Sequence, residues 1–416
     1  MMTETERLMA CVDGRRLWRR HMRMAEHGGT ENGGVNRQAL SEADFAARRQ
    51  LIRWGQDVGL SPYRDDAGNL FLRMQGSDPQ AEPVLTGSHL DSQPTGGRFD
   101  GAYGVLAGLE ALQALTEAGL RCRRPIELAV WMNEEGSRFA PGMMGSRVFA
   151  GQDTVAGISS VRDADGIPVA QELERLDGLF ADVPRVPPGR KAHAYLEAHI
   201  EQGPILERQS TAIGVVTGIQ GKYTYLVEFR GQEAHVGTVD LAERKDALLA
   251  AVAAIDAMAA EFLGTANGTR FSVCRLNVTP NVPSVIARKA EFSIDLRHPD
   301  SGELGRLHRR VEEICRAHAG PCEVSVNRLS AADSLEFPVQ LRELVRQCAS
   351  ELSMTHIDIL SLAGHDARYL HRVCPSGMIF IPCKDGVSHN EAESVRAEDL
   401  ENGVRVLAAA LRRLAA

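Results

Sequence analysis

The 416-residue sequence has no apolar run approaching the ~18–20 residues that span a bilayer, so no membrane helix is expected. It has no excess of positive charge: 47 Lys and Arg stand against 55 Asp and Glu, a net charge of −8. That balance gives no electrostatic case for nucleic acid or an anionic membrane as a partner. The opening stretch MMTETERLMACVDGRRLWRR lacks the apolar centre of a secretory signal. Its Glu4, Glu6 and Asp13 argue against an organellar presequence, so it reads as a polar helix and the expected location is the cytoplasm. The eight cysteines include no CxxC pair and read as reduced, mostly buried packing residues rather than a disulfide framework. There is no internal repeat and no low-complexity segment.

What is present first is α/β texture. ADFAARRQLIRWGQDVGL has helical spacing and stops at Gly59; NLFLRMQG and PVLTGSHL read as strands; GVLAGLEALQALTEAGL is a helix closed by Gly119. PIELAVWMNEE has so few polar interruptions that it predicts a strand buried on both faces. Strands alternating with helices imply a mixed, largely parallel sheet covered by helices. From about residue 212 the pattern changes to alternating apolar and polar positions. The order there is strand, helix, strand, strand, helix, strand, with the first strand open to a split at Gly218 and Gly221. This predicts an inserted α+β, ferredoxin-like domain over 212–328. The larger domain then comprises 1–211 and 329–416, where α/β texture returns.

Metal-ligand residue types fall at the ends of these elements. His89 and Asp100 flank a glycine-rich turn, Glu134 and Glu135 follow the buried strand, His199 lies in YLEAHIEQG and His389 in DGVSHNEAES. In open α/β sheets, sites form outside the carboxyl ends of strands. Three histidines with two or three carboxylates suit zinc or another borderline divalent ion. One ion takes about four ligands, so this many suggests two ions sharing a carboxylate, with a bridging water of lowered pKa. Of the adjacent pair Glu134 and Glu135, one can ligate while the other takes the water's proton. Asp91, two residues from His89, can hold the second imidazole nitrogen. Taken singly, His–x–Asp is a weak signal and Glu–Glu is commonly a solvated edge; spacing alone does not choose between these readings.

The motifs resolve the choice by resemblance. GGVNRQALSEAD, GSHLDSQPTGGRFDGAYGVLAGLEAL, NEEGSRF, GSRVFAG, LEAHIEQGPILE, GQEAHVG, DLRHPD, AGHDA and PSGMIFIPCKDGVSHNEAE occur in this order along nearly the whole chain. In them the sequence resembles the two-metal amidohydrolases that include N-carbamoyl-L-amino-acid hydrolases, allantoate amidohydrolases and β-ureidopropionases, relatives of aminoacylase-type metallopeptidases. The resemblance implies that Asp100 bridges two metals, that His89 and Glu135 are terminal ligands, and that His199 and His389 complete the two sites. His199 and Glu135 would serve opposite metals, and Glu134 would be the general base. The inserted domain would mediate dimerisation and act as a lid. His235 in GQEAHVG would reach a neighbouring active site and polarise the scissile carbonyl. Arg297 in DLRHPD would bind the substrate carboxylate, a task suited to its planar fork. Gln202 would contact the ureido or amide group. Zinc leads as the metal, with manganese, cobalt and nickel as alternatives.

Outside the resemblance several of these residues have plainer readings. Arg297 can be a surface ion pair, His235 a loop histidine, Gln202 an ordinary helix-end residue and Asp366 a helix N-cap rather than part of a site lined by His365. Two departures from the family pattern touch the substrate end. Ser284 in SVIAR stands where relatives carry asparagine, and Leu362 in SLAGHDA stands where they carry glycine, beside Ala363 and Gly364. The expectation is a homodimeric two-metal amidohydrolase for a carboxylate-bearing small molecule. The rivals are an N-acyl-amino-acid amidase or dipeptidase on the same machinery, and a non-catalytic metal-binding dimer.

Overall fold

The computed structural model describes residues 2–263 and 267–416. The chain divides into two units, Met1–Thr217 with Phe337–Ala416, and Gly218–Glu336. In the first unit the strands are β1 (Ser61–Asp65), β2 (Leu70–Met74), β3 (Val84–His89), β4 (Ile126–Trp131), β5 (Arg185–Val186), β6 (Ala194–Ile200) and β7 (Ile213–Ile219), whose last two residues cross into the insertion. The insertion carries β8 (Gly221–Arg230), β9 (Arg270–Thr279), β10 (Lys289–His298) and β11 (Glu323–Ala332). The chain returns through β12 (Leu335–Glu336) to β13 (His356–Ser361) and β14 (Ser376–Ile381).

The larger sheet runs β12-β7-β14-β6-β3-β4-β2-β1-β5, with β13 beside β7. Its centre, β14-β6-β3-β4, is parallel, while β2 and β7 join antiparallel on either side. Every residue of β3, β4, β6 and β14 is buried, as expected where helices cover both faces. The helix Ala102–Glu117 is apolar almost all round because it packs against both β3 and the C-terminal helix Ala397–Leu414. The N-terminal polar helix is two helices, Glu4–Cys11 and Gly14–Ala25, because Asp13 turns its carboxylate onto the N–H groups of Arg15 and Arg16 and starts a new one. All eight cysteines are free thiols; Cys274 is exposed, Cys11 half-buried and the rest buried. Among the described residues, no helix is long and apolar enough to cross a membrane.

The second unit orders its strands β11-β8-β10-β9, all antiparallel. Side chains of β8 and β10 alternate strictly. Tyr225, Val227 and Phe229 of β8 and Phe292, Ile294 and Leu296 of β10 face the helices Ala247–Phe262 and Ser301–Ala317. Phe229 and Phe292 stack at 6.2 Å, and truncating either to alanine would cost roughly 3–5 kcal/mol. The split βαβ order expected from the sequence is therefore present.

The unit boundaries differ from those expected at 212 and 328. The alternating stretch that begins near 212 is two strands with different partners. β7 pairs with β14 in the larger sheet, Val215 opposite Ile379, whereas β8 belongs to the insertion. At the return, β11 runs on to Ala332, and Leu335 and Glu336 pair with Ile219 and Gly218.

Candidate metal centre

The four parallel strands at the centre of the larger sheet end on one side of it. His89 is the last residue of β3 and His199 the penultimate residue of β6; Glu134 and Glu135 follow β4, and His389 follows β14. The turns after β4, β6 and β14 hold Asn133, Gln202 and His389 at φ 54°, 55° and 53°. Left-handed conformations in residues with side chains store strain and concentrate at functional sites. Asp100 arrives in the turn before the helix Ala102–Glu117. Gly101 follows at φ 63°, and a Cβ there would lie 2.3 Å from the His89 ring, so only glycine lets Asp100 approach this closely.

Asp100 stands between two groups of donors. Its Oδ1 is 3.2 Å from His199 Nε2 and 3.8 Å from His89 Nε2. Its Oδ2 is 3.2 Å from His389 Nε2, which in turn is 3.4 Å from Glu135 Oε2. The ligand atoms of His89, Asp100 and His199 all lie within 4.8 Å of one another, and so do those of Asp100, Glu135 and His389. His199 and Glu135 thus fall in different triads. Glu134 belongs to neither; its Oε2 lies 3.5 Å from His89 Nε2. Nitrogen and carboxylate donors in two triads with one shared carboxylate fit a pair of borderline divalent ions.

The imidazoles are oriented by main-chain carbonyls. His89 Nδ1 is 2.9 Å from the carbonyl of Asp91, and His199 Nδ1 is 2.9 Å from that of Ile200, so each ring turns Nε2 toward Asp100. The expectation that the Asp91 carboxylate holds His89 is corrected here. That carboxylate is 3.8 Å from Nδ1, and its oxygens accept the N–H groups of Glu134 and Glu135 at 3.2 and 3.1 Å. Asp91 fixes the turn bearing the two glutamates by its side chain and the histidine by its backbone.

Electrostatics point the same way. Burial, with Asp100 second, pushes Glu135 up to about 8. Burial, then Asp366, Glu135, Asp91 and Asp100, pushes Glu134 well above the usual carboxylate range. Burial drives His89 down to about 4, the neutral form that can ligate. For His199, burial opposes the charge, but Asp100 and Glu197 override it and hold the ring up at about 9. The hydrogen bond to Asp100 lifts His389 to about 9 despite burial. Carboxylates crowded out of water are short of positive charge, and divalent cations relieve that deficit.

In a third cluster, the ligand atoms of Glu197, His199 and His365 also lie within 4.8 Å of one another. Its members have other partners: Glu197 accepts from Ser88 and Tyr195, and His365 Nε2 lies 2.9 Å from Ser361 Oγ. His365 packs its ring edge-on to His199 at 4.5 Å, supporting that ring from behind. Asp366 starts the short helix Ala367–Leu370 without capping it; its carboxylate accepts from Ser146 instead. Gln202 donates from Nε2 to Asp100 Oδ2 at 2.9 Å and to Ser388 Oγ at 3.2 Å, while its buried Oε1 has no hydrogen-bond partner. Leu362, Ala363 and Gly364 follow β13, with Leu362 and Gly364 exposed.

Three supporting residues escaped the sequence reading. Glu393 Oε1 accepts the N–H groups of Phe99 and Asp100, and its Oε2 accepts from Ser388, which also reaches Asp100 Oδ2. The buried Glu393 side chain therefore ties the Asp100 turn to the His389 loop. Gln93 donates to Glu135 Oε2 at 2.7 Å. Glu393 and Ser388 sit in the DGVSHNEAES segment, but no spacing rule links them to a backbone almost 300 residues away.

In the second unit, His235 and Ser284 lie side by side: Val236 N–H donates to the Ser284 carbonyl, and His235 bridges to Val285. His235 is exposed, and its Nδ1 accepts the Gly237 N–H at 3.0 Å, which puts the proton of the neutral ring on Nε2. Ser284 has φ 67°. Arg297 makes a fork with Asp295, at 2.7 and 3.2 Å, and Asp295 also takes Lys222 at 3.2 Å. The ion-pair reading of Arg297 therefore holds for this structure. Arg297 lies eight residues along β10 from Lys289, and Arg288 bonds back to Gly231 at the His235 end. At ~3.3 Å per residue, the two ends of the strand are roughly 26 Å apart.

Residues 85–413 match the Peptidase family M20/M25/M40, and this span contains both donor triads. The chain belongs to that family. Among its relatives it is 40% identical over 400 residues to N-carbamoyl-L-amino-acid amidohydrolase from Rhizobium meliloti, covering 95% of each chain. It is 32% identical over 400 residues to allantoate amidohydrolase from Bacillus subtilis, covering 94% of this chain and 95% of that one. A crystal structure of a hydantoinase/carbamoylase family amidase from Burkholderia multivorans matches with a TM-score of 0.87 at 43% identity, over 97% of this chain and 98% of that one.

Proposed function

We propose that the chain hydrolyses a linear C–N bond in a ureido acid, first an N-carbamoyl-L-amino acid and second a related ureide such as allantoate. The observation that carries this reading is Asp100, with one oxygen toward His89 and His199 and the other toward His389 and Glu135. Two divalent ions bound there, zinc first and manganese, cobalt or nickel as alternatives, would polarise the substrate carbonyl and lower the pKa of a water. Glu134, outside both triads, takes the proton from the attacking water and returns it to the leaving nitrogen. His235 donates from Nε2 to the carbonyl oxygen as charge develops there. Arg297 pairs with the substrate carboxylate, and the Gln202 amide meets the ureido group. For an N-carbamoyl substrate, water adds to the carbonyl, the C–N bonds break, and the products are the amino acid, ammonia and carbon dioxide.

Within one copy of the second unit, His235 pairs with Val285 before the Lys289 end of β10 and Arg297 lies near its other end, roughly 26 Å along the strand, which sets them apart for one small molecule. A homodimer in which a partner lends its His235 removes the difficulty. The unpaired edge of β9 and the exposed Leu249 and Val252 on the helix Ala247–Phe262 supply a surface for it.

Ammonia release from N-carbamoyl, N-acyl and ureido acids with each metal tests the proposal. Release from the ureides supports it, whereas acyl cleavage without ammonia favours an N-acyl-amino-acid amidase or dipeptidase. Saturated protein should hold two metal equivalents by elemental analysis, and His389→Ala should lose one of them. A saturated wild type with one ion or none contradicts the paired site. Arg297→Ala should lower kcat/KM on carboxylated substrates by at least ~10-fold, since a charge-assisted contact is worth roughly 1.5–3 kcal/mol. It should cost far less on the matching amides, and equal losses on both would remove Arg297 from the substrate.

A further inference from the structure

Immediately beside His235 lies a groove of about 350 Å³. Its apolar walls include Val236, Leu248, Val278, Val282 and Val285. Val236, Val282 and Val285 are 40%, 54% and 37% exposed. Three branched aliphatic side chains left in water on neighbouring loops form an apolar patch, and such patches mark binding surfaces. The walls are held in place. The 234–236 and 284–286 segments pair through Ile286 N–H to Ala234 carbonyl and Val236 N–H to Ser284 carbonyl. Arg244 reaches across to the carbonyls of Val236 and Val239 and staples the turn. Asp246, also in the lining, accepts the N–H groups of Leu248 and Leu249. The polar groups around the groove are therefore largely committed to its own backbone. The volume is at the small end of the ~300–1,000 Å³ typical of ligand pockets.

The bridge between His235 and Val285 decides the occupant. Residues paired across an antiparallel bridge carry their side chains on one face, ~4.5–5.5 Å apart at Cβ. Whatever presents a carbonyl to His235 Nε2 presents its neighbouring substituent to the valines. We infer that this groove receives the side chain of the substrate, and that the preferred substrates are N-carbamoyl amino acids with a branched or long aliphatic side chain rather than small polar ureides. The inference rests on the proposed role of His235 in ureide hydrolysis.

The test is ammonia release from the N-carbamoyl derivatives of glycine, aspartate, valine and leucine and from allantoate, on the metal-loaded full chain. The wild type should favour the leucine derivative over the glycine derivative by at least ~10-fold in kcat/KM, since each methylene in an apolar pocket is worth ~10-fold or more. Val282→Asp, at an exposed position that tolerates charge, should reduce that ratio by ~10-fold or more, and Val285→Ser should reduce it in the same direction. Leu329→Asp, exposed on β11 away from the groove, should keep the wild-type ratio. Ureide hydrolysis with no aliphatic preference overturns the groove and leaves the proposed function standing. No ureide hydrolysis at all overturns the proposed function itself. If Val282→Asp lowers every substrate alike, or changes the mass measured by light scattering, the valines are covered by a second copy of the chain and the inference fails.

Discussion

Glu134→Gln should reduce turnover by ~10²–10⁴ while the protein keeps its full complement of metal. Gln has the shape of Glu and fits the same buried turn, whose N–H groups are already held by Asp91. What it lacks is a carboxylate to take the proton of the attacking water. Glu134 is absent from both donor triads, so its replacement leaves the ligand count unchanged. Glu135→Gln removes a ligand of the second triad and a partner of Gln93, so metal retention should fall first and activity only as a consequence. Elemental analysis beside steady-state ammonia release separates the two. If both variants lose metal equally and added metal restores them equally, the division of labour between the neighbouring glutamates is wrong.

The second large effect is recovery from two inactive proteins. His235→Ala should cost ~10²–10³ in kcat, as expected when a donor to a developing oxyanion is removed. Glu134→Gln should also be inactive by itself. If His235 acts on the partner's substrate, a mixed dimer of the two variants contains one site with both groups intact. Random exchange makes half of the dimers mixed, each with one good site of two, so roughly a quarter of wild-type activity should return. Light scattering should give about twice 45.3 kDa for every sample, and tagged subunits can verify exchange. Verified exchange without recovery would confine His235 to its own chain, and a monomer with full activity would have the same meaning.

The candidate site residues His89, Glu134, Glu135 and His199 were legible because each lies at or just past the end of a buried strand. β3 ends in His89 and β4 in Trp131, three residues before Glu134, and the parallel pairing of these buried strands puts their ends side by side. The insertion was legible because β8 and β10 alternate without a break. Its first boundary was not, because β7 runs almost directly into β8 with only Gln220 between them, and only pairing tells which sheet each joins. Spacing put Asp91 within reach of His89 but could not tell its carbonyl from its carboxylate, and the carbonyl makes the bond. Asp295 was available to the same reasoning that singled out Arg297: two residues apart on a strand, they share a face. Glu393 was beyond it, since its partners are backbone groups on a distant turn.

That tie from Glu393 to the Asp100 turn has a consequence for synthesis. A ribosome delivers β6 and β7 long before β14, yet β14 is the strand that lies between them. The insertion, contiguous in sequence, can complete its own sheet in the meantime. From Glu336 to Glu393 the ribosome needs roughly 3–11 s at ~5–20 residues per second. Until β14 emerges, the β6 edge is an unpaired strand that the finished sheet buries completely, and to the end of the interval the nascent chain has neither His389 nor the carboxylate that steadies Asp100. A paired metal site of the proposed kind would therefore be complete only once the last part of the chain is made, and the exposed β6 edge is where a chaperone has most to protect.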